Sequence, residues 1–130
     1  MELDVKGKTR EVNFNKVGFI RKLDSIYKAE SDGVEFGFGL MFADIYLKQY
    51  SVPHLSNVIR CGIKEAVRVE DVDEAIEAYA EEHGTLDGLF EQVIDELGKS
   101  PIATATLKKL ENLEQQNKNK NNVANLKSIK

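Results

Sequence analysis

The sequence predicts an α+β fold, with an N-terminal β-hairpin packed on a bundle of about five helices and a disordered C-terminal tail. Three observations lead to it. Two short alternating polar/apolar runs, Glu2–Val5 and Thr9–Phe14, flank Lys6-Gly7-Lys8, a tight-turn signal in which Gly7 is free to take positive φ. Asn15 then opens an amphipathic stretch, and most of the remaining chain carries helical periodicity. The last residues are polar and low in complexity.

Each element has its own justification. A two-stranded hairpin is marginal alone in water, and its Leu3/Val5/Val12/Phe14 face needs a cover. The first helix supplies one, with Phe19, Ile20, Leu23, Ile26 and Tyr27 in a stripe. A turn or loop is expected through Glu30-Ser31-Asp32-Gly33. A second apolar segment runs from Gly37 to Tyr50, with Phe38, Leu40, Met41, Phe42, Ile45 and Tyr46 as core candidates. Ser51 caps a third helix with Pro53 in its first turn and Leu55, Val58, Ile59, Gly62, Ile63 and Ala66 along it. The fourth helix, Glu70 to Glu82, turns Val72, Ala75, Ile76 and Tyr79 inward and ends at Gly84. Thr85 caps the fifth, whose stripe is Leu86, Leu89, Phe90, Val93, Ile94 and Leu97. Ser100 as N-cap and Pro101 at the first helical position start a weaker sixth, with only Leu107, Leu110 and Leu113 as a stripe. The folded domain is placed at residues 1–114, and the Lys/Asn-rich stretch 115–130 is read as disordered.

Composition narrows function by exclusion. The chain has 130 residues, enough for one core, with 42% apolar and 31% charged residues. Its single Cys61 sits among apolar neighbours and reads as a buried thiol in a reducing compartment. No apolar run approaches the roughly 20 residues that span a bilayer, and the acidic opening strand does not resemble a signal peptide. No membrane association is expected. The net charge of −4 argues against nucleic acid as the partner. Its distribution is more informative. From Val69 to Gly98 there are eleven acidic residues and no Lys or Arg, and a basic tail follows.

No catalytic, metal or cofactor site is expected. His54 and His83 lack ligand partners at i+3 or i+4, and both read as ordinary helix-end residues, His54 on the surface. Gly37-Phe38-Gly39 lacks the third glycine of a dinucleotide fingerprint; it reads as small residues that let a helix start lie close to a neighbour. Asp71, Asp73 and Glu74 do not fit a calcium loop. Two surfaces remain as partner-binding candidates. Phe36, Phe38 and Phe42 crowd into seven residues in or beside a loop, where not all can face inward. Glu74, Glu77 and Glu81 lie along the solvent side of the fourth helix, where the ordinary reading is a solvated face and the sharper one a dock for a basic partner.

Several short motifs share a family likeness. The opening Met1 to Phe14, then Phe19-Ile20-Arg21-Lys22-Leu23-Asp24, resembles the tail assembly chaperones of long-tailed phages and prophages of Gram-positive bacteria. The likeness continues through Gly37-Phe38-Gly39-Leu40, Leu55 to Ile63 and Val69-Glu70-Asp71-Val72. It closes with Leu89 to Leu97 and Lys99-Ser100-Pro101, covering about residues 1 to 101. It implies a non-enzymatic protein with an α+β fold. It further implies binding to the tape measure protein, a long helical polypeptide that sets tail length, and help in recruiting tail tube protein around it. The implied setting is the host bacterial cytoplasm, with the chaperone absent from the mature virion. Homo-oligomerisation is left open. The runner-up, from another class, is a small acidic regulatory protein that occupies a nucleic-acid-binding surface with Val69–Gly98.

The family is often made in two lengths by ribosomal frameshifting, and Lys118-Asn119-Lys120-Asn121-Asn122 requires adenine-rich codons that suit slippage. A plain polar tail from an adenine-rich genome is the competing reading. In either case residues 115–130 have little to bury. A chain ending at Glu114 is expected to melt at the same temperature as the full chain in a calorimetric scan; a large drop would show that the tail packs on the domain.

Overall fold

Local turn chemistry explains the first element. In the computed structural model, which describes residues 1–31 and 34–112 (28–31 and 34–37 as strands only), β1 (Glu2–Val5) pairs antiparallel with β2 (Lys8–Glu11) in the register Val5↔Lys8. The two-residue connection has φ of 55° at Lys6 and 73° at Gly7, the left-handed pair that a primed hairpin turn requires. The cost of that conformation falls on Lys6, which has a Cβ.

The chain continues extended beyond β2. Val12 bridges to Ile63, and the Asn13 N–H donates to the Gly62 carbonyl at 2.8 Å. Val5, Val12 and Phe14 are buried and Leu3 half-buried, as the alternation predicts. Helix α1 (Val17–Ile26) begins two residues later than Asn15, whose side chain serves a helix much further along the chain. Phe19 and Leu23 are its core residues, each contributing about 1.5–3 kcal/mol through burial.

After α1 the expected turn or loop is flanked by strands that were not expected. Strands β3 (Lys28–Ser31) and β4 (Val34–Gly37) form a second antiparallel hairpin with Ala29 opposite Phe36 and Ser31 opposite Val34. The sequence signal was present: Asp32-Gly33 is a two-residue hairpin dipeptide. Those two residues, like 113–130, lie outside the described residues, and the expected disorder of 115–130 falls among the latter.

Helices complete the core. They are α2 (Gly39–Lys48), α3 (Val52–Gly62), α4 (Val69–His83), α5 (Asp87–Gly98) and a sixth, α6, over residues 101–112. Helix α1 packs on α2 and α3, α2 also on α3 and α5, and α4 on α3 and β1. The buried line of α2 is Leu40, Ala43 and Leu47. Ile45 is exposed, and Met41, Phe42 and Tyr46 are half-buried, so the densest apolar run of that segment is not its inner face. Helix α3 stops at Gly62 because Ile63 turns extended to pair with Val12; Ala66 is therefore off the helix and exposed. Gly84 ends α4 with φ 74°, and the Thr85 hydroxyl accepts the Asp87 N–H at 3.1 Å at the start of α5, both as the sequence indicates.

Helix α6 has a more complete start than its thin stripe suggests. The Ser100 hydroxyl accepts the Ala103 N–H at 3.1 Å, Pro101 has no N–H to satisfy, and Asn15 Oδ1 accepts the Ile102 N–H at 3.1 Å. Ser100 Oγ lies 3.2 Å from both the Phe14 carbonyl and Asn15 Oδ1, sharing its proton with them. Ala103 and Leu110 are buried.

Two glycines mark close approaches. A Cβ on Gly39 would sit 2.6–2.7 Å from the backbone of Leu23 and Asp24, so the start of α2 abuts the end of α1 directly. The Gly39 N–H also donates to Asp24 Oδ1 at 3.0 Å. A Cβ on Gly62 would meet Phe14 and Val12 at 2.8 Å. Gly98 has open space around it. Gly39→Ala is therefore expected to destabilise by about 1–3 kcal/mol through overpacking against rigid backbone. Gly98→Ala should be neutral or stabilising by up to about 1 kcal/mol. Urea titration of both variants checks this; equal effects would show that the α1–α2 junction yields.

Candidate partner-binding surface

The acidic helix is built by an N-terminal exchange of hydrogen bonds. Asp71, in the first turn of α4, accepts the Arg68 N–H on Oδ2 at 3.1 Å, and the Arg68 guanidinium stands 3.5 Å from Oδ1. Asp73 accepts the Ser56 hydroxyl, tying α4 to α3. Four of the eleven acidic residues have partners, since Asp95 also pairs with Lys99 at 2.8 Å and Glu96 lies 3.9 Å from the N-terminal amine. Glu74, Glu77 and Glu81, one helical turn apart, are exposed and make no ion pair among the described residues. This is the acidic face expected from the sequence.

The aromatic candidates lie elsewhere. Phe36 is in β4, paired with Ala29, and Phe38 is the connecting residue between β4 and α2, so the two stand in or beside a short connection as expected. Phe38 and Phe42 are half-buried. Helix α2 packs on α1, α3 and α5, whereas α4 packs on α3 and β1. The fold therefore does not gather the Phe and Glu candidates into one main contact.

What it places beside the acidic face is a groove that sequence reasoning missed. Between α3 and α4 lies a hollow of about 320 Å³ lined by Val52, Pro53, Asn57, Val69, Asp73, Ile76 and Glu77. Its floor, Ile76, is buried, but Val52 is 42% and Val69 38% exposed, two of the large apolar side chains left open to solvent. Tyr50, next to α3 in sequence, is 48% exposed with its ring tilted 5.0 Å from Phe90. The signal for the groove was the position of Val52 and Val69 at helix starts, outside either helix's inward stripe.

Other polar clusters are accounted for by structure. His54 is half-buried and not on the surface as expected. Its ring stacks on Tyr46 at 3.9 Å, and Nδ1 is 2.6 Å from Tyr27 Oη. Asn57 donates to the same Oη at 3.2 Å, leaving the phenol O–H as a donor. Burial raises the Tyr27 phenol above its ordinary value, keeping that donor in place. Burial likewise pushes the Cys61 thiol up to about 11, so it is a protonated core group and not a nucleophile. A larger hollow of about 490 Å³ near Cys61 has a rim of mixed charge from Glu11, Lys16, Lys22, Lys64 and Glu65. Among the described residues no group of three or more His, Cys, Asp or Glu could hold a metal, and no helix is long and apolar enough to cross a membrane.

A family model described as phage tail assembly chaperone protein, TAC, matches residues 2–126. The chain belongs to this family. No curated protein and no solved structure gives a significant match. The family match runs beyond the residues 1 to 101 that carry the likeness in sequence, and takes in α6 and part of the Lys/Asn-rich stretch. Membership in an assembly-chaperone family gives the chain protein partners in tail assembly, and a surface for those partners is the kind of site the fold must provide.

The capping exchange at the start of α4 has a pH signature. The Arg68 N–H, with a smaller part from its guanidinium, holds the Asp71 carboxyl below the usual carboxylate range. A lowered native value means that the charged carboxylate stabilises the fold above the unfolded value of roughly 3.9, and that this contribution fades as pH falls through the native value. Asp71→Ala should therefore lower the melting temperature at pH 7, with the difference from the parent shrinking as pH falls below about 4. A difference constant from pH 7 to pH 2.5 would show that the carboxylate charge contributes nothing.

Proposed function

We propose that this chaperone binds the tape measure protein, keeps it soluble before the tube covers it, and helps recruit tail tube protein. The observation that carries this reading is the outer face of α4. Glu74, Glu77 and Glu81 are held in a row by a well-packed helix, exposed and without ion-pair partners among the described residues. Such a face attracts basic protein surface without consuming any interaction of the fold. A long helical polypeptide that exposes apolar surface aggregates unless covered. Many weak contacts repeated along one such chain give avidity while each contact stays reversible, which suits a factor that must leave as the tube closes. Phe36, Phe38 and Phe42 are proposed as secondary anchors around the start of α2. The chaperone works in the host bacterial cytoplasm and is absent from the finished virion. The family match favours this reading over an acidic regulator of a nucleic-acid-binding protein.

Co-expression tests it. Tape measure protein made alone should pellet; made together with this chain, a fraction should stay soluble and co-purify. Failure of the two to associate in low salt would end the chaperone reading for this pair. Reversing Glu74, Glu77 and Glu81 to Lys should abolish rescue while leaving the circular dichroism spectrum and melting temperature unchanged. Full rescue by the reversed chain would return that face to ordinary solvation.

A further inference from the structure

We infer that the groove between α3 and α4 is the docking site, and that its occupant is a single amphipathic helix with lysine or arginine flanking its apolar side. The inference rests on the chaperone reading only for the kind of protein that carries such a helix. The groove itself specifies the chemistry. Its floor is the buried Ile76, and Val52, Pro53 and Val69 are its exposed lips, all apolar. Both charged residues in its lining, Asp73 and Glu77, are acidic, and no Lys or Arg lines it. Glu74 and Glu81 extend the negative charge along the same helix. A partner seated between Val52 and Val69 would thus meet apolar surface at the centre and carboxylates along one border, the arrangement that an apolar stripe with basic flanks complements.

Backbone hydrogen bonding selects a helix over a strand. Both walls are helices, and the groove presents no sheet edge against which a strand could pair. An extended segment laid into it would bury backbone groups with nothing to pair with, while a helix satisfies its own. The groove is also preformed. Ser56 donates to Asp73 across the α3–α4 contact, and Asn57 is held by its bond to Tyr27, so the walls do not need to reorganise on binding. The groove near Cys61, by contrast, has charges of both signs at its rim and selects no such partner.

A peptide of about eighteen residues, long enough for five turns, serves as the probe. It is built from leucine, alanine and lysine, with leucine at i, i+3, i+4 and i+7 and lysine beside that stripe. It is labelled and titrated into the full chain by fluorescence anisotropy at low and moderate salt. It should bind, more weakly as salt rises. A scrambled peptide of equal composition, and one with glutamate in place of lysine, should bind at least about tenfold more weakly. Val52→Asp and Glu77→Lys, both at exposed positions, should each weaken binding about tenfold, with melting temperature unchanged. Val69→Asp is the second apolar probe if Val52→Asp unfolds the chain. Glu91→Lys, the same charge change at an exposed position of α5, should leave binding intact. Equal binding by the scrambled peptide, equal loss with Glu91→Lys, or no binding of any peptide would overturn the groove assignment. The two proposals fail separately. If Val52→Asp and Val69→Asp, folded, still rescue the tape measure protein, the groove is wrong and the chaperone reading stands. If the parent chain never rescues it but binds the peptide as stated, the groove stands and the tape measure protein is not its partner.

Discussion

The segment from Val12 to Asn15 holds the two ends of the described fold together. On one side it meets the end of α3: Val12 pairs with Ile63, the Asn13 N–H reaches the Gly62 carbonyl, and the Phe14 ring fills the space that a Gly62 side chain would take. On the other side the Phe14 carbonyl and the Asn15 amide satisfy Ser100 and the first free N–H of α6. Four consecutive residues therefore fix where α3 must stop, where α6 must start, and which face of the hairpin is inward. The sharp end of α3 at Gly62 begins the connection to α4, and Ser56 and Asp73 tie the two helices beside the groove.

Features set by neighbours in sequence were legible, and features set by distant partners were not. The Lys6-Gly7 turn, the Ser100 cap, the left-handed Gly84 and the inward stripes of α4 and α5 all follow from local rules, whereas Ser51 precedes α3 as expected but makes no side-chain cap bond. Asn15 reads locally as a helix opener, yet it caps a helix 87 residues away. Ile45 reads as core because it sits in an apolar run, but α2 turns Leu40, Ala43 and Leu47 inward, and only the positions of α1, α3 and α5 decide that. His54 has no chemistry in its own sequence neighbourhood; its partners Tyr27 and Tyr46 come from α1's end and α2. The second hairpin is a different case. Asp32-Gly33 carries a local signal, and the equal strand lengths on either side of it are what turn a loop into a hairpin.

The candidate site divides in the same way. The acidic side of α4 is visible in sequence because charge patterning needs no tertiary information. The groove beside it is not, because Val52 and Val69 belong to different helices and gain meaning only when α3 and α4 lie side by side. Phe36, Phe38 and Phe42 show the converse: close in sequence, they are distributed over a strand, a helix entry and a helix flank. On the proposed reading, recognition rests on partial desolvation of the open Val52 and Val69 beside the carboxylates of α4.

The bond between Asn15 and α6 also orders events in time. Synthesis delivers the hairpin and α1 first, yet the Phe14 carbonyl and Asn15 amide wait until residue 100 has emerged before meeting their partners. Closing so long a loop is entropically slow compared with forming the helices in between. On the ribosome, the hairpin can settle against α3 once Ile63 is out, and the last helix then latches onto a surface already made. The contact between Asn15 and α6 thus joins the first and last described elements only after the residues between them are made.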